Sequence, residues 1–148
     1  MSLTPTAAAS PRIPELNWTD AHRAEIQMRY SDIDTNHHVN NGRYGEYLEN
    51  ARIMMFRDLN VPHDEGHNVL ARMELDYVQE IRAGQKLVVE SLVERIGRTS
   101  VTVVARILAD GVACAFSRVV LVNVDDAHRP REVGAALRSA LAPTLVRP

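Results

Sequence analysis

The sequence is almost without cysteine: Cys114 is the only one in 148 residues. One thiol excludes a disulfide framework and any zinc site built from cysteines. An excess of positive charge is also missing. The 17 Lys and Arg stand against 19 Asp and Glu, a net charge of −2, so no global basic field draws nucleic acid or an anionic membrane. Lysine is nearly absent, since every cation except Lys86 is an arginine. Arginine suits phosphate, and a local phosphate-binding patch therefore stays open. No apolar run is long enough to span a bilayer. Residues 1–14 are rich in Ala, Thr, Ser and Pro and lack the charged and apolar regions of a signal peptide. A cytoplasmic protein is expected. What is present is ordinary for a globular chain: 45% hydrophobic and 24% charged residues, at a length that makes one domain with a real core. The expected division is a disordered tail over 1–20 and a single domain over 21–148.

The periodicity changes along the chain. From His22 to Tyr30 apolar and charged residues alternate, with Ala24, Ile26, Met28 and Tyr30 on one face of a strand. From about Asn41 to Leu59, Tyr44, Tyr47, Leu48, Ala51, Met54, Met55 and Leu59 recur at helical spacing. Asn40 or Asn41 offers the N-cap, and Asn60 and Pro62 close the helix. After Gly66 the period is two. Strands follow over about 69–78, 87–94, 101–108 and 112–124, separated by Ala83-Gly84, Gly97-Arg98 and the strong hairpin signal Asp110-Gly111. These short connections predict a four-stranded antiparallel meander. A short helix is predicted over Pro130–Leu141, with Val133, Ala136, Leu137 and Leu141 inward. The class is α+β, and the simplest packing wraps the antiparallel sheet around the one long helix. Its second face would carry Val88, Leu92, Val104, Leu108, Val119 and Leu121. An apolar face of that size is expected to be covered at least partly by another copy of the chain.

The stretch Tyr30–Tyr47 concentrates the chemistry. Asp32, Asp34, His37, His38, Asn40 and Asn41 crowd a loop that runs straight into the long helix. A helix start presents free N–H groups and a partial positive charge. A carboxylate beside such donors suits attack on a polarised carbonyl. The ordinary alternative for a loop aspartate is an Asx-turn or cap. Asp32 reads as structural, capping the loop or pairing with an arginine. His38 either holds the loop or touches a substrate, His37 reads as exposed, and Asn40 as a cap. Two Asp and two His would suit zinc or iron, but adjacent histidines rarely converge on one ion, and no metal or cofactor is expected. Cys114 lies in an apolar strand and reads as packing.

The run Tyr30-Ser-Asp-Ile-Asp34, the His38-Val-Asn-Asn41 that follows it, Tyr44 and Glu49-Asn-Ala-Arg52 together resemble the hotdog-fold acyl-CoA thioesterases of the 4-hydroxybenzoyl-CoA thioesterase type. The element order matches that family from about His22 to Leu141. The resemblance implies a hotdog fold and hydrolysis of an acyl-CoA thioester. In it Asp34 is the catalytic base or nucleophile and the backbone N–H of Asn41 the oxyanion donor. Beside these, His38 is a candidate substrate contact; Tyr44, Tyr47, Met54 and Met55 read as core, but the first helical turns could line an acyl pocket, which makes Tyr44 a candidate contact as well. The resemblance further implies a homodimer or homotetramer with the site at a subunit interface, and neither nucleic acid nor membrane as partner. Coenzyme A would need cations for its phosphates, with Arg72, Arg82, Arg95, Arg98, Arg106 and Arg118 available. Two rival expectations stand beside this one. The first is a thioesterase acting on acyl-carrier protein, or a hydratase, on the same fold. The second is a non-catalytic acyl-CoA-binding module.

Overall fold

A computed structural model describes residue 10 and residues 12–147. Strand β1 (His22–Ile26) leads through the polar loop to a 3-10 turn at Asn41–Arg43 and then helix α1 (Tyr44–Asp58). Strands β2 (His67–Tyr77), β3 (Leu87–Ile96), β4 (Ser100–Ala109) and β5 (Val112–Val124) follow, and then helix α2 (Ala135–Leu141). All five strands form one antiparallel sheet in the order β1-β3-β4-β5-β2.

The long helix forms where its period predicts, and it buries Tyr44, Tyr47, Leu48, Ala51 and Met55. Asn60, at φ +53, ends it in the left-handed conformation that asparagine tolerates. Beneath the helix, Ser91, Ala105 and Ser117 pair across three strands. All three are buried, and Ala105 packs in one cluster with Tyr47 and Leu48. A second part of the core joins Met55 to Val93, Val103, Val119 and Leu121, and to Val133, Leu137 and Leu141 around α2. Ala136, predicted to point inward, is exposed.

The meander holds for β3, β4 and β5 but not for β2. Asp110 and Gly111, at φ +49 and +81, make the hairpin turn in which both central residues take positive φ. Ala83-Gly84 is a turn as well, yet it does not join neighbouring strands. After Tyr77 the chain crosses the end of the sheet, where Val78 and Gln79 donate to the Cys114 carbonyl at 2.9 and 3.1 Å. It then takes up backbone partners in the polar loop before entering β3. Strand β2 thus lies on the far edge, paired only with β5.

Two expectations about the outer face are corrected. Val119 and Leu121 belong to the helix side, because the ladder sets Val119 opposite Val103 and Leu121 opposite Val101. The rest of that apolar face is covered by the chain itself. Ile13 (4% exposed), Leu16 and Trp18 pack on Leu92, Val104 and Phe116. The Arg106 guanidinium lies 4.8 Å from the centre of the Trp18 ring and donates to the buried Glu90 at 2.7 Å. The expected tail therefore divides: residues 1–9 and 11 lie outside the described residues, while 12–20 form a strap. Its apolar residues are too widely spaced to show a helix or strand period, and only the sheet's complementary face identifies them as core. Ile13→Asp should place an unpaired charge against that face. A loss of about 2 kcal/mol is expected in urea denaturation, and an unchanged midpoint would show that the strap does not pack.

Candidate active site

The polar loop is closed like a small hairpin. Ile33 bridges to Val39, the Asp34 N–H donates to the His38 carbonyl at 2.8 Å, and the Asn40 N–H to the Asp32 carbonyl at 2.8 Å. His37 turns the tip at φ +62 and is exposed. The loop is also stitched to the crossing segment. Val39 N–H donates to the Ile81 carbonyl at 2.8 Å, and Ala83 N–H to the His37 carbonyl at 2.9 Å.

Asp32 anchors this assembly. Its carboxylate is fully buried and accepts from the Tyr47 hydroxyl at 2.6 Å, the Arg29 N–H at 3.0 Å and Arg29 Nε at 3.0 Å. Burial works to raise its pKa, but the bonds from Tyr47 and Arg29 outweigh it and hold the carboxyl below its ordinary value. Burial and the Asp32 carboxylate push the Tyr47 phenol well up. Arg29 and Arg43 also both pair with Glu46 in the first turn of α1.

Asp34 is half-buried at the loop tip. Its Oδ1 accepts from the Asn36 N–H at 2.9 Å and the His38 N–H at 3.2 Å, an Asx-turn. Its Oδ2 has no hydrogen-bond partner among the described residues. The turn therefore leaves one carboxylate oxygen uncommitted. At the helix start, Asn40 caps as expected: its side chain accepts from Gly42 N–H at 2.8 Å, and its carbonyl from Arg43 N–H at 2.9 Å. Asn41 N–H is left without a partner among the described residues, one of the donors that a helical start cannot satisfy internally.

His38 Nδ1 lies 3.0 Å from Glu80 Oε2, while its backbone closes the loop on Asp34. Tyr44 is 2% exposed, its ring 4.9 Å from that of Tyr77 in an edge contact, and burial pushes its phenol up. In this chain it packs in the core beneath the start of α1. Buried Cys114 has its thiol pushed up by burial, which opposes a thiolate. Among the described residues, no group of three or more His, Cys, Asp or Glu converges as metal ligands.

The arginines separate into used and free. Arg72, Arg98, Arg106 and Arg118 pair with Glu74, Glu132, Glu90 and Glu94. Arg82 and Arg95 have no acidic partner among the described residues, and Arg82 bridges directly to His38.

Sequence reasoning missed Glu80, which orients His38, and Tyr77, whose hydroxyl donates to the Asn41 carbonyl at 3.0 Å. Neither has a local signal, because the crossing of the chain after β2 brings both to the site. Tyr47 did have one. A tyrosine on the buried stripe of a helix needs an acceptor for its hydroxyl, and the acid-rich loop ahead of it supplies Asp32.

A sequence model of the thioesterase-like superfamily matches residues 28–145. The chain is similar to a thioesterase from Thermus thermophilus, solved as a complex with coenzyme A and Zn. The two are 32% identical over 84% of this chain and 94% of that one, with a TM-score of 0.76. It is equally similar to a predicted thioesterase from Bacillus stearothermophilus, 32% identical over 86% of this chain and 98% of that one, at a TM-score of 0.78. A thioesterase-superfamily structure from Jannaschia sp. CCS1, at 16% identity, shares the fold over 90% of this chain and 98% of that one, with a TM-score of 0.83. Among curated proteins no sequence matches.

Tyr47→Phe removes one donor from Asp32 and should cost about 1–3 kcal/mol in urea denaturation at neutral pH. Because native Asp32 titrates below its ordinary value, its contribution is complete above about pH 4 and is lost as pH falls through the native value. The variant's Asp32 should titrate closer to the ordinary value. Tyr47→Phe is therefore expected to lose less stability on acidification than the wild type, and parallel acid limbs would contradict this.

Proposed function

The chain belongs to the thioesterase-like superfamily and is a hotdog-fold thioester hydrolase, and on that premise we propose that it cleaves acyl-CoA thioesters with Asp34 and the Asn41 N–H. The supporting observation is that the closed loop and the helix start that follows it each carry one unclaimed group. Asp34 keeps an oxygen free of the turn, and Asn41 keeps a donor free of the helix. A carboxylate is anionic at neutral pH without activation. It takes a proton from water as the water adds to the carbonyl carbon, or it adds itself to give a mixed anhydride that water then opens. The carbonyl oxygen gains negative charge in either route, and a fixed N–H at a helix start stabilises it. Collapse breaks the carbon–sulfur bond, and the thiolate leaves as CoA after taking up a proton. His38, held by Glu80, keeps the loop closed beside the reacting carbonyl. Arg82, adjacent to His38 and free of acidic partners among the described residues, would be a cation for a CoA phosphate in this reading.

The working unit in this proposal is a homodimer. Strand β2 has a free edge over 11 residues and exposes Val69, Leu70, Met73 and Tyr77 at 39, 52, 37 and 51%. A long apolar edge of this kind invites pairing with another strand. Among the described residues no helix is long and apolar enough to cross a membrane, and the proposed place of action is the cytoplasm.

A free-thiol assay against a panel of acyl-CoA esters tests the activity, and the protein's only thiol is buried. Thiol release by the wild type is expected. Asp34→Asn should keep the wild-type circular dichroism and melting temperature while turnover falls by about a hundredfold to ten-thousandfold. Near-wild-type turnover by that variant would remove Asp34 from the mechanism. Thermal stabilisation by acyl-CoA without thiol release would indicate a binding module.

A further inference from the structure

An open trough runs between α1 and β2 within one chain. Met73, Leu75 and Tyr77 stand on the same face of the strand. Leu75 packs on the core beneath the helix, and the Tyr77 ring lies 4.9 Å from that of Tyr44, so this face looks towards α1. Across from it the helix presents Gly45. Beyond its own helix, a Cβ there would meet only Met73 Cε, at 3.9 Å. The helix wall is thus cut back, and Met73 and Tyr77 stay 37 and 51% exposed. The trough begins at the helix start, where the Tyr77 hydroxyl donates to the Asn41 carbonyl at 3.0 Å.

Arg52 follows Gly45 by seven residues and so lies on the same stripe of α1. It is half-buried, yet it makes no ion pair and no side-chain hydrogen bond among the described residues. Burial works against its charge, and Glu49, an exposed acid three residues earlier, offsets this only in part. Among the described residues, the buried side-chain nitrogens and oxygens without a partner are His22 Nδ1 and Ser91 Oγ. The unpartnered guanidinium of Arg52 is therefore open to solvent while its stem is covered. A helical side chain leans towards the N-terminus of its helix, which sets this head over the turn between Gly45 and Arg52. The acids of β2 do not neutralise it. Glu74 and Asp76 take the opposite face, where they meet Arg118 at 4.0 Å and Ser10 at 2.6 Å.

Resting on the acyl-CoA hydrolase reading, we propose that Arg52 sets the substrate class: the acyl group lies in this trough and carries a second carboxylate, remote from the thioester, which Arg52 binds. A guanidinium presents two parallel N–H groups to a carboxylate. An apolar acyl chain would instead cover the unpaired charge and leave it without water. Arg52 is eight residues beyond Tyr44, about 12 Å along the axis, and its side chain leans back over part of that distance. The separation suits an ω-carboxyacyl group of glutaryl to suberyl size. Met73, Leu75 and Tyr77 take the methylenes between its two ends.

The test compares glutaryl-, adipyl- and suberyl-CoA with valeryl-, hexanoyl- and octanoyl-CoA in the free-thiol assay. At one length or more, the wild type should favour the carboxylated ester over its neutral counterpart by about tenfold or more in kcat/KM. Arg52→Gln should collapse that ratio by about tenfold or more, and Arg52→Lys should keep part of it, since the charge stays and the fork is lost. Glutamine is nearly as good a helix former as arginine, so Arg52→Gln should melt as the wild type does. Gly45→Leu puts a side chain into the trough, favours the helix, and should slow both sets of esters. A wild type that favours the carboxylated ester at no length overturns the proposal. So does an Arg52→Gln variant that slows both sets equally, the mark of a structural or interface role, and so do unchanged rates in Gly45→Leu. If the wild type releases thiol from no acyl-CoA, the parent reading fails and this one with it; if it hydrolyses neutral esters alone, only this one fails.

Discussion

The buried carboxylate of Asp32 is the constraint on which the site depends. It takes a charge out of water, which is tolerable only when the surroundings supply enough donors. Tyr47 and Arg29 supply them. Tyr47 belongs to α1, Arg29 precedes the loop, and Asp32 lies at the loop's base, so one anion fixes the entry of the chain, the loop and the helix relative to one another. Asp34 is two residues away and inherits that geometry. The carboxylate that looks chemically busiest is therefore the scaffold, while the less encumbered one remains available.

Much of this was legible in the residues, for definable reasons. Helix α1 announced itself because its apolar stripe is wide and its ends are marked by Asn40 and Asn60. The β4–β5 hairpin was secure because Asp110-Gly111 accepts positive φ at both positions. Asp32 and Asn40 could be given their structural roles from their places in the loop. The position of β2 could not be read. Ala83-Gly84 has the composition of a hairpin turn, and composition does not reveal that residues 78–83 first spend their hydrogen bonds on Cys114 and the polar loop. The strap was hidden for a similar reason: Ile13, Leu16 and Trp18 have no period of their own and gain meaning only against Leu92, Val104 and Phe116. Val119 and Leu121 were assigned to the wrong face because β5 is apolar on both sides there, and only cross-strand register decides.

In the proposed mechanism, the division of labour around the loop would let so small a site work on a thioester. Thiolates leave readily, and no relay of side chains is required if a fixed anion and a fixed N–H flank the carbonyl. Asp34 lies in the closed loop and Asn41 at the helix start that follows it, and backbone bonds from Val39 to Ile81 and from Ala83 to His37 hold the loop against a segment that arrives from the opposite edge of the sheet. Fold and site are thus coupled through the chain crossing after β2. Were β2 to pair with β3 as a hairpin, Glu80 and Tyr77 would not reach the loop.

The two edges of the sheet are unlike. β2 offers a long backbone edge, whereas β1 is only five residues long and carries Arg23 and Glu25 on its outer face. Open sheets risk growing into ribbons when each added copy presents the same template as the last. The pairing through β2 proposed above would consume the longer of the two edges among the described residues and leave a short, charged β1 at both ends. Such a composite sheet would terminate itself after one addition, so the edge proposed to join two copies would also guard the protein against fibrous polymerisation.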